Sequence, residues 1–425
     1  MGSINLNNTG SGSAVTLSSD GSSLLLNGSA IGGGGDPDLY AANESSPTAQ
    51  PSAVGANAIG IGNNVDAGTS SSHANAIALG GSGTASQPIR SSNTHAVAIG
   101  TAYSGAVTAS GEASMAIGTG ATVASGGHSL ALGRNSTASA TDAVAFTGSL
   151  ASGQKSFAAA LTSNSSTYGA QGAYSVALGE RSKATGYGSV ALGYGTATAD
   201  ASFACISGTA SATNAFAFGS GAQATANPSI AMGYQPEARA GASVSMGFRT
   251  KVISTGNGST AFGIDSSAAI ASKQVFGGRK FSADGDCQSG TTVLKAVTTN
   301  ATATPFFCGY LGSPGTSIVN KFVMPNNSAY AFHGTIVARQ KASEGSACAA
   351  WKVEGLIRRE ANAGTTVLVN SATTVIDNTP SWVMALSADT TNSTNGGGLA
   401  ITGTGASSTN IRWVATIHTS EITYA

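Results

Sequence analysis

Charge is scarce in this chain. Of its 425 residues only 9% are Asp, Glu, Lys or Arg, against roughly 25% in ordinary globular domains, and 19 basic residues cancel 19 acidic ones. Such a chain has no bulk attraction for nucleic acid, which rests on neutralising phosphates. Aromatic residues make up 6%, and all three tryptophans lie beyond residue 350. The four cysteines (205, 287, 308 and 348) show neither CxxC nor metal-ligand spacing. The five histidines form no HxxxH or HExxH array, so a zinc site has no support. No apolar run approaches the ~18 residues of a membrane span. Acidic residues are too sparse along 57–279 to nominate a glycosidase carboxylate pair. Gly-x-Gly pairs such as Gly193-Tyr194-Gly195 open no helix, as a phosphate loop must. Asp284-Gly285-Asp286 reads as a turn in preference to a calcium site. The sequence predicts no enzyme, no cofactor and no metal.

Glycine and alanine are abundant, and they are ordered. The pattern small–apolar–Ala–apolar–Gly is cleanest in Ser175-Val176-Ala177-Leu178-Gly179 and Ser189-Val190-Ala191-Leu192-Gly193. It returns in Ala215–Gly219, Ser229–Gly233 and Ser243–Gly247. Glycines 179 and 193 are 14 apart, as are 219 and 233, 233 and 247, and 263 and 277. A short fixed period marks a solenoid whose units are too small to fold alone and must stack. The two large apolar residues are two apart and share one side of a strand; the Ala between them faces the other way. A weaker beat follows about seven residues on, as in Ala197-Thr198-Ala199 and Gln223-Ala224-Thr225. Each repeat therefore reads as two short strands and two tight turns. Gly179, Gly193, Gly219, Gly233, Gly247, Gly263 and Gly277 are expected at corners needing positive φ. Cys205 is expected to face inward as a small hydrophobe, and Ser189 to be a replaceable filler. Counting glycines or their equivalents from 62 to 277 gives 15 turns, with looser spacing before residue 118.

The [NSH]-[SA]-[VI]-A-[IL]-G unit with its 14-residue period resembles the head repeat of the YadA-type trimeric autotransporter adhesins. That resemblance implies a left-handed parallel β-roll in which three chains pack side by side. The Ala-rich, thin core gives a separate reason to expect a core shared between chains. A secreted adhesin would also need a signal peptide, a heptad stalk and a membrane anchor. Met1–Leu6 has no basic n-region or apolar h-region, and neither other feature is evident.

Residues beyond 288 leave the repeat. Runs at 329–339, 350–358, 365–370, 382–387, 399–402 and 411–418 read as conventional strands separated by turn clusters. Together they predict an antiparallel β-sandwich. The segments 280–286, 349–359 and 410–416 look similar to C-terminal domains of tail-fibre proteins of tailed bacteriophages. The expected organisation is an attachment segment at 1–31, a Gly/Pro/Ser linker at 32–56 and a β-roll shaft at 57–279. A neck at 280–304 and a β-sandwich tip at 305–425 complete it. The fold class is thus all-β, a trimeric parallel β-roll or β-solenoid followed by an antiparallel β-sandwich.

These features together predict a homotrimeric virion fibre of a tailed bacteriophage, assembled in the host cytoplasm without membrane insertion. Its N-terminus would join a tail or capsid protein. Its C-terminus would meet a host-surface glycan or protein through loops 306–315 and 389–398, where Phe307, Tyr310, Asp389, Asn392 and Asn395 are the candidate contacts. In the alternative reading Phe306, Phe307 and Tyr310 only pack the junction, and the fibre is structural or decorative; a bacterial trimeric adhesin is a third. The basic cluster Arg249, Lys251, Lys273, Arg279 and Lys280 suggests inter-chain salt bridges or a collar for an anionic surface.

Overall fold

A computed structural model describes residues 50–82, 84, 86–160, 167–308, 321–391 and 396–424, together with the backbone of four strands before residue 50. The chain forms two compact units, Met1–Ser166 and Thr167–Ala425. It is all-β: a parallel solenoid with antiparallel sheets at its C-terminus.

The first unit opens with an antiparallel sheet of Ser3–Leu6, Val15–Ser19, Leu24–Leu26 and Ser29–Ala30. Its solenoid begins earlier than residue 57, because Ser52–Ala53 already pairs in parallel with Val65–Ala67. Seven apolar strands, from Ile59–Ile61 to Phe157–Ala159, lie in this unit, and eight more, from Val176–Leu178 to Lys273–Gly278, lie in the second. Like stacks on like: Val176, Ala177 and Leu178 sit over Val190, Ala191 and Leu192. The weaker beat forms the second sheet, where Ala184 sits over Ala197 and Ala197 over Ala210.

Burial explains the motif. In both sheets the central Ala points inward and is fully buried, as at Ala177, Ala184, Ala191 and Ala197. The flanking Val and Leu of the first sheet point outward and are half-buried. The two sheets are therefore held together mostly across a layer of methyl groups, with Val65, Ile89, Val107, Val252 and Val275 as the larger inward side chains. Cys205 follows this rule and not the inward reading: it is the third residue of Phe203–Cys205, on the outward side with Phe203. Ala204 takes the interior position.

The corners have two origins. Gly219, Gly233 and Gly247 have φ of 121°, 125° and 137°, and Gly179, Gly193 and Gly263 have φ of 90°, 42° and 91°. Gly277 is different. It lies inside the strand Lys273–Gly278, paired with Gln288, and is not among the positive-φ residues. The other corner was not recognised in the sequence. The residue opening most repeats is left-handed, as at Asn75 (φ 56°), His95 (φ 58°), His128 (φ 55°), Tyr174 (φ 59°) and Asn214 (φ 56°); Pro228 is an exception. Asn, Asp and His tolerate that conformation best among residues with a Cβ, which explains their recurrence there.

In the second unit the apolar sheet continues without a break into the tip. Lys273–Gly278 pairs antiparallel with Cys287–Thr298, which pairs with Ile411–Thr423. Ser328–Gln340, Cys348–Arg359 and Val367–Asp377 follow in order. Residues 287–298, read as part of a neck, are thus a full strand of the tip sheet. A smaller sheet centres on Gly398–Thr404, flanked by Val383–Asp389 on one side and by Thr304–Pro305 and Phe322–Val323 on the other. Between the sheets lie Trp351, Trp382 and Trp413, with Trp351 stacked on Trp413 at 5.6 Å. Trp413 spends its one donor on Thr298 Oγ1 at 2.9 Å, so its burial leaves nothing unpaired.

Candidate interaction surface

The outward side of the apolar sheet is the broadest candidate surface in either unit. In the second unit it carries Phe218, Ile230, Phe262 and Phe276 at 38%, 38%, 39% and 60% exposure. The first unit shows Ile59, Ile61 and Met115 in the same strand positions, also exposed. The opposite sheet presents polar groups outward instead: Thr196, Thr209, Gln223, Glu237 and Lys251. This asymmetry follows from the sequence, because the first strand of a repeat has large apolar residues on both sides of its Ala, whereas the second has at most one, as at Val123 and Leu150. Rungs sit one strand spacing apart, so like rings meet along the sheet. Phe203 stacks on Phe216 at 4.8 Å and Tyr234 on Phe248 at 4.9 Å. An apolar face of this extent is unusual on a protein that works as a monomer.

Several buried serines of the repeat do more than fill space. Ser189 Oγ donates to Gly186 O at 2.8 Å, Ser202 Oγ to Ala199 O at 2.6 Å and Ser243 Oγ to Ala240 O at 2.6 Å. Each fastens the turn three residues back, so Ser189 is not an idle spacer.

Four of the five basic residues clustered at the end of the solenoid are paired within the chain. Arg249 pairs with Asp265 at 2.8 Å, Lys251 with Asp284 at 2.7 Å, Lys280 with Asp284 at 2.8 Å and Lys273 with Glu421 at 2.6 Å. For these four residues, partners on their own chain replace both readings made from the sequence. Asp284-Gly285-Asp286 is a turn with Gly285 at φ 84°. The Asp286 carboxylate accepts backbone N–H groups of Phe281, Ser282 and Ala283 at 2.9, 2.6 and 2.7 Å. Burial opposes its ionisation, yet these donors outweigh burial and hold its pKa below the usual carboxylate value. A cavity of about 340 Å³ nearby is lined by Lys273, Asp284, Asp286 and Lys321. Every one of those charges is already satisfied, so the cavity offers a ligand no free counter-ion.

The tip residues singled out from the sequence separate. Tyr310, Asn392 and Asn395 lie outside the described residues. Phe307 is half-buried in Phe307–Cys308, opposite Lys295 in the long sheet. Its neighbour Phe306 is a core residue, 6.0 Å from the Trp413 ring. Asp389 belongs to the smaller sheet and works internally, accepting from Lys321 Nζ at 3.1 Å and from Thr391 N and Oγ1. Burial raises its pKa, but the Thr391 and Lys321 donors prevail and leave it lowered. The described residues thus place Phe307 and Asp389 on different sheets. All four cysteines are free thiols; Cys308 is buried, which pushes its pKa up to about 12, and Cys348 is exposed.

No curated protein matches this chain. The family model of the YadA head domain repeat matches residues 108–123, 124–146, 170–196 and 210–235. Every matched segment lies in the solenoid, with the left-handed turn residue, inward Ala and outward apolar pair described above; the repeats in these segments are YadA-head-like.

Proposed function

We propose that this chain is a non-enzymatic fibre protein of a tailed bacteriophage virion, assembled as a homotrimer through the apolar face of its roll. Head repeats on a β-solenoid fit an adhesin-like trimeric fibre, and the observation that carries the reading is the division of faces. One sheet turns Val, Leu, Ile and Phe to the outside on rung after rung, while the other turns Thr, Gln, Glu and Lys. Closing three such faces around one axis removes apolar area from water at roughly 25 cal/mol per Å². Stable interfaces of this type need about 1,200–2,000 Å². Native mass spectrometry of the full chain tests assembly, and a stable monomer overturns it. The phage assignment rests on the similarity of the tip segments to tail-fibre domains. Labelling the N-terminus on intact particles tests it: the fibre is expected to leave the tail or head of a virion.

In this proposal the tip meets a host-surface glycan or protein. One observation favours the structural alternative: Phe306 belongs to the core and the Asp389 carboxylate is engaged by Lys321 and Thr391. The whole assembled protein, displayed on beads, should bind susceptible cells and not resistant ones. Equal or absent binding favours a fibre without a receptor.

A further inference from the structure

The strand Val367–Asp377 departs from the rule followed by the rest of the tip sheet. Ser328–Gln340 and Ile411–Thr423 alternate buried and exposed residues almost perfectly, as a sheet with one covered face must. Val367–Asp377 is exposed at every position except Leu368, which is half-buried. It pairs with Cys348–Arg359 along one edge, and among the described strands none is in register with the other, both edges of Ile411–Thr423 being taken by Cys287–Thr298 and Ser328–Gln340. Val375 lies opposite the buried Trp351 and so on the core side, yet it is 56% exposed. The sandwich is open here. No charged residue occurs from 361 to 376, and there is no proline. Natural sheets blunt exposed edges with lysine, proline or brevity; an 11-residue strand without such protection is one that is covered in the working protein.

A second edge of the same character lies in the smaller sheet. Val383–Asp389 pairs only with Gly398–Thr404 among the described strands, and it is uncharged from Val383 to Ala388. We propose that these two edges join neighbouring copies of this chain, the strand Val367–Asp377 of one copy adding to Val383–Asp389 of the next. Each copy then offers one open edge and accepts one, which is a heterologous contact that closes when it is repeated around a rotation axis. Neither edge carries a charge before its terminal Asp377 or Asp389, so the two can pair along their length without burying one. This inference rests on the trimeric reading and adds to it a strand exchange specific to the tip.

Hydrogen–deuterium exchange on the full-length assembled protein, with native mass measured on the same sample, tests it. An open edge leaves the outward set of backbone amides free to exchange, whereas a paired edge protects both sets. Segments 366–377 and 383–389 are expected to be protected throughout. Combining Val375→Lys with Ile376→Lys should release protection in both segments while the mass stays that of a trimer held by the roll. If the wild-type mass is trimeric but alternate amides of 366–377 exchange as fast as an unstructured peptide, the strand addition is wrong and the trimer stands. A monomeric mass overturns both.

Discussion

Lys273, on the last strand of the roll, holds Glu421, three residues before the last described residue of the tip, with Nζ 2.6 and 2.8 Å from the two carboxylate oxygens. Both side chains are buried. Gln288 Nε2 donates to the same carboxylate at 2.9 Å, and Thr419 Oγ1 donates to its other oxygen. The Lys273 ammonium also sits 5.3 Å from the Tyr330 ring. Gly290 makes room for the pair, since a Cβ there would come within 2.5 Å of Glu421 Oε1 and 2.7 Å of Lys273 Cε. Breaking a buried pair from one side strands a charge and costs about 3–5 kcal/mol. Glu421→Ala should therefore lower the unfolding midpoint sharply in thermal and urea melts. Lys273→Met combined with Glu421→Leu should recover much of the loss.

Two corner glycines make a controlled comparison. A Cβ on Gly233 would lie 2.1 Å from the carbonyl oxygen of Gly247, at φ 125°, where L-residues are rarely found. Gly193 has φ 42°, and a Cβ there would meet nothing within 4 Å. Gly233→Ala should lower the melting temperature clearly, with about 1–3 kcal/mol per chain from the backbone conformation alone and rung displacement added. Gly193→Asn should be close to neutral. Equal melting temperatures for the two variants would remove the stacked-carbonyl explanation.

The inward and outward positions of one rung should fail in different ways. Ala191 is fully buried between the sheets, and overpacking such a site costs roughly 1–3 kcal/mol. Ala191→Val is expected to lower thermal stability. Phe262→Asp changes only the outward face, which is 39% exposed at that residue, and should instead shift native mass toward smaller assemblies. Far-ultraviolet circular dichroism separates the two effects.

Acid should loosen the turn that joins roll to tip. The folded pKa of Asp286 is depressed, so its ionised form stabilises the fold above the ordinary carboxylate pKa of about 4. That contribution is lost as pH falls through the lower folded value. Asp284, opposed by burial but bonded to Lys251 and Lys280, shifts in the same direction. Proteolysis near 280–286 is expected to accelerate below about pH 4, and Asp286→Asn should show that susceptibility already at neutral pH. A pH-independent cleavage rate in both proteins would contradict this.

The roll was legible because it is periodic. A two-residue spacing of large side chains around Ala fixes which side each faces, and the fixed interval fixes what it stacks on. Which side was interior could not be read from hydrophobicity, since the larger apolar groups point outward; this is why Cys205 was misplaced. The left-handed turn at Asn75, His95 and Asn214 was hidden by the variety of residues that occupy it, including Ala113 and Lys155. In the tip the strands between turn clusters were visible. The strand Cys287–Thr298 was not, because its partners are Lys273–Gly278 on one side and Ile411–Thr423, over a hundred residues later, on the other. Which of the two phenylalanines beside the first candidate loop is buried could not be read either. Phe306 is in the core and Phe307, its neighbour in sequence, is only half-buried, and no local signal tells which belongs to the core.

Where the layer between the two sheets is built of Ala alone, successive turns share one cross-section whatever their loops contain. Spacings of 14 residues between Val176 and Val190 and of 13 between Val190 and Phe203 yield interchangeable rungs, because both place Ala above Ala. A turn is therefore a unit of length that can be added or removed without redesigning its neighbours. Excising residues 220–233 as one piece should shorten the second unit's solenoid by about 4.8 Å and return Gly219 to a seat beneath Gly247. The length of that solenoid can then change by whole steps while the strands at its two ends keep their own pairings.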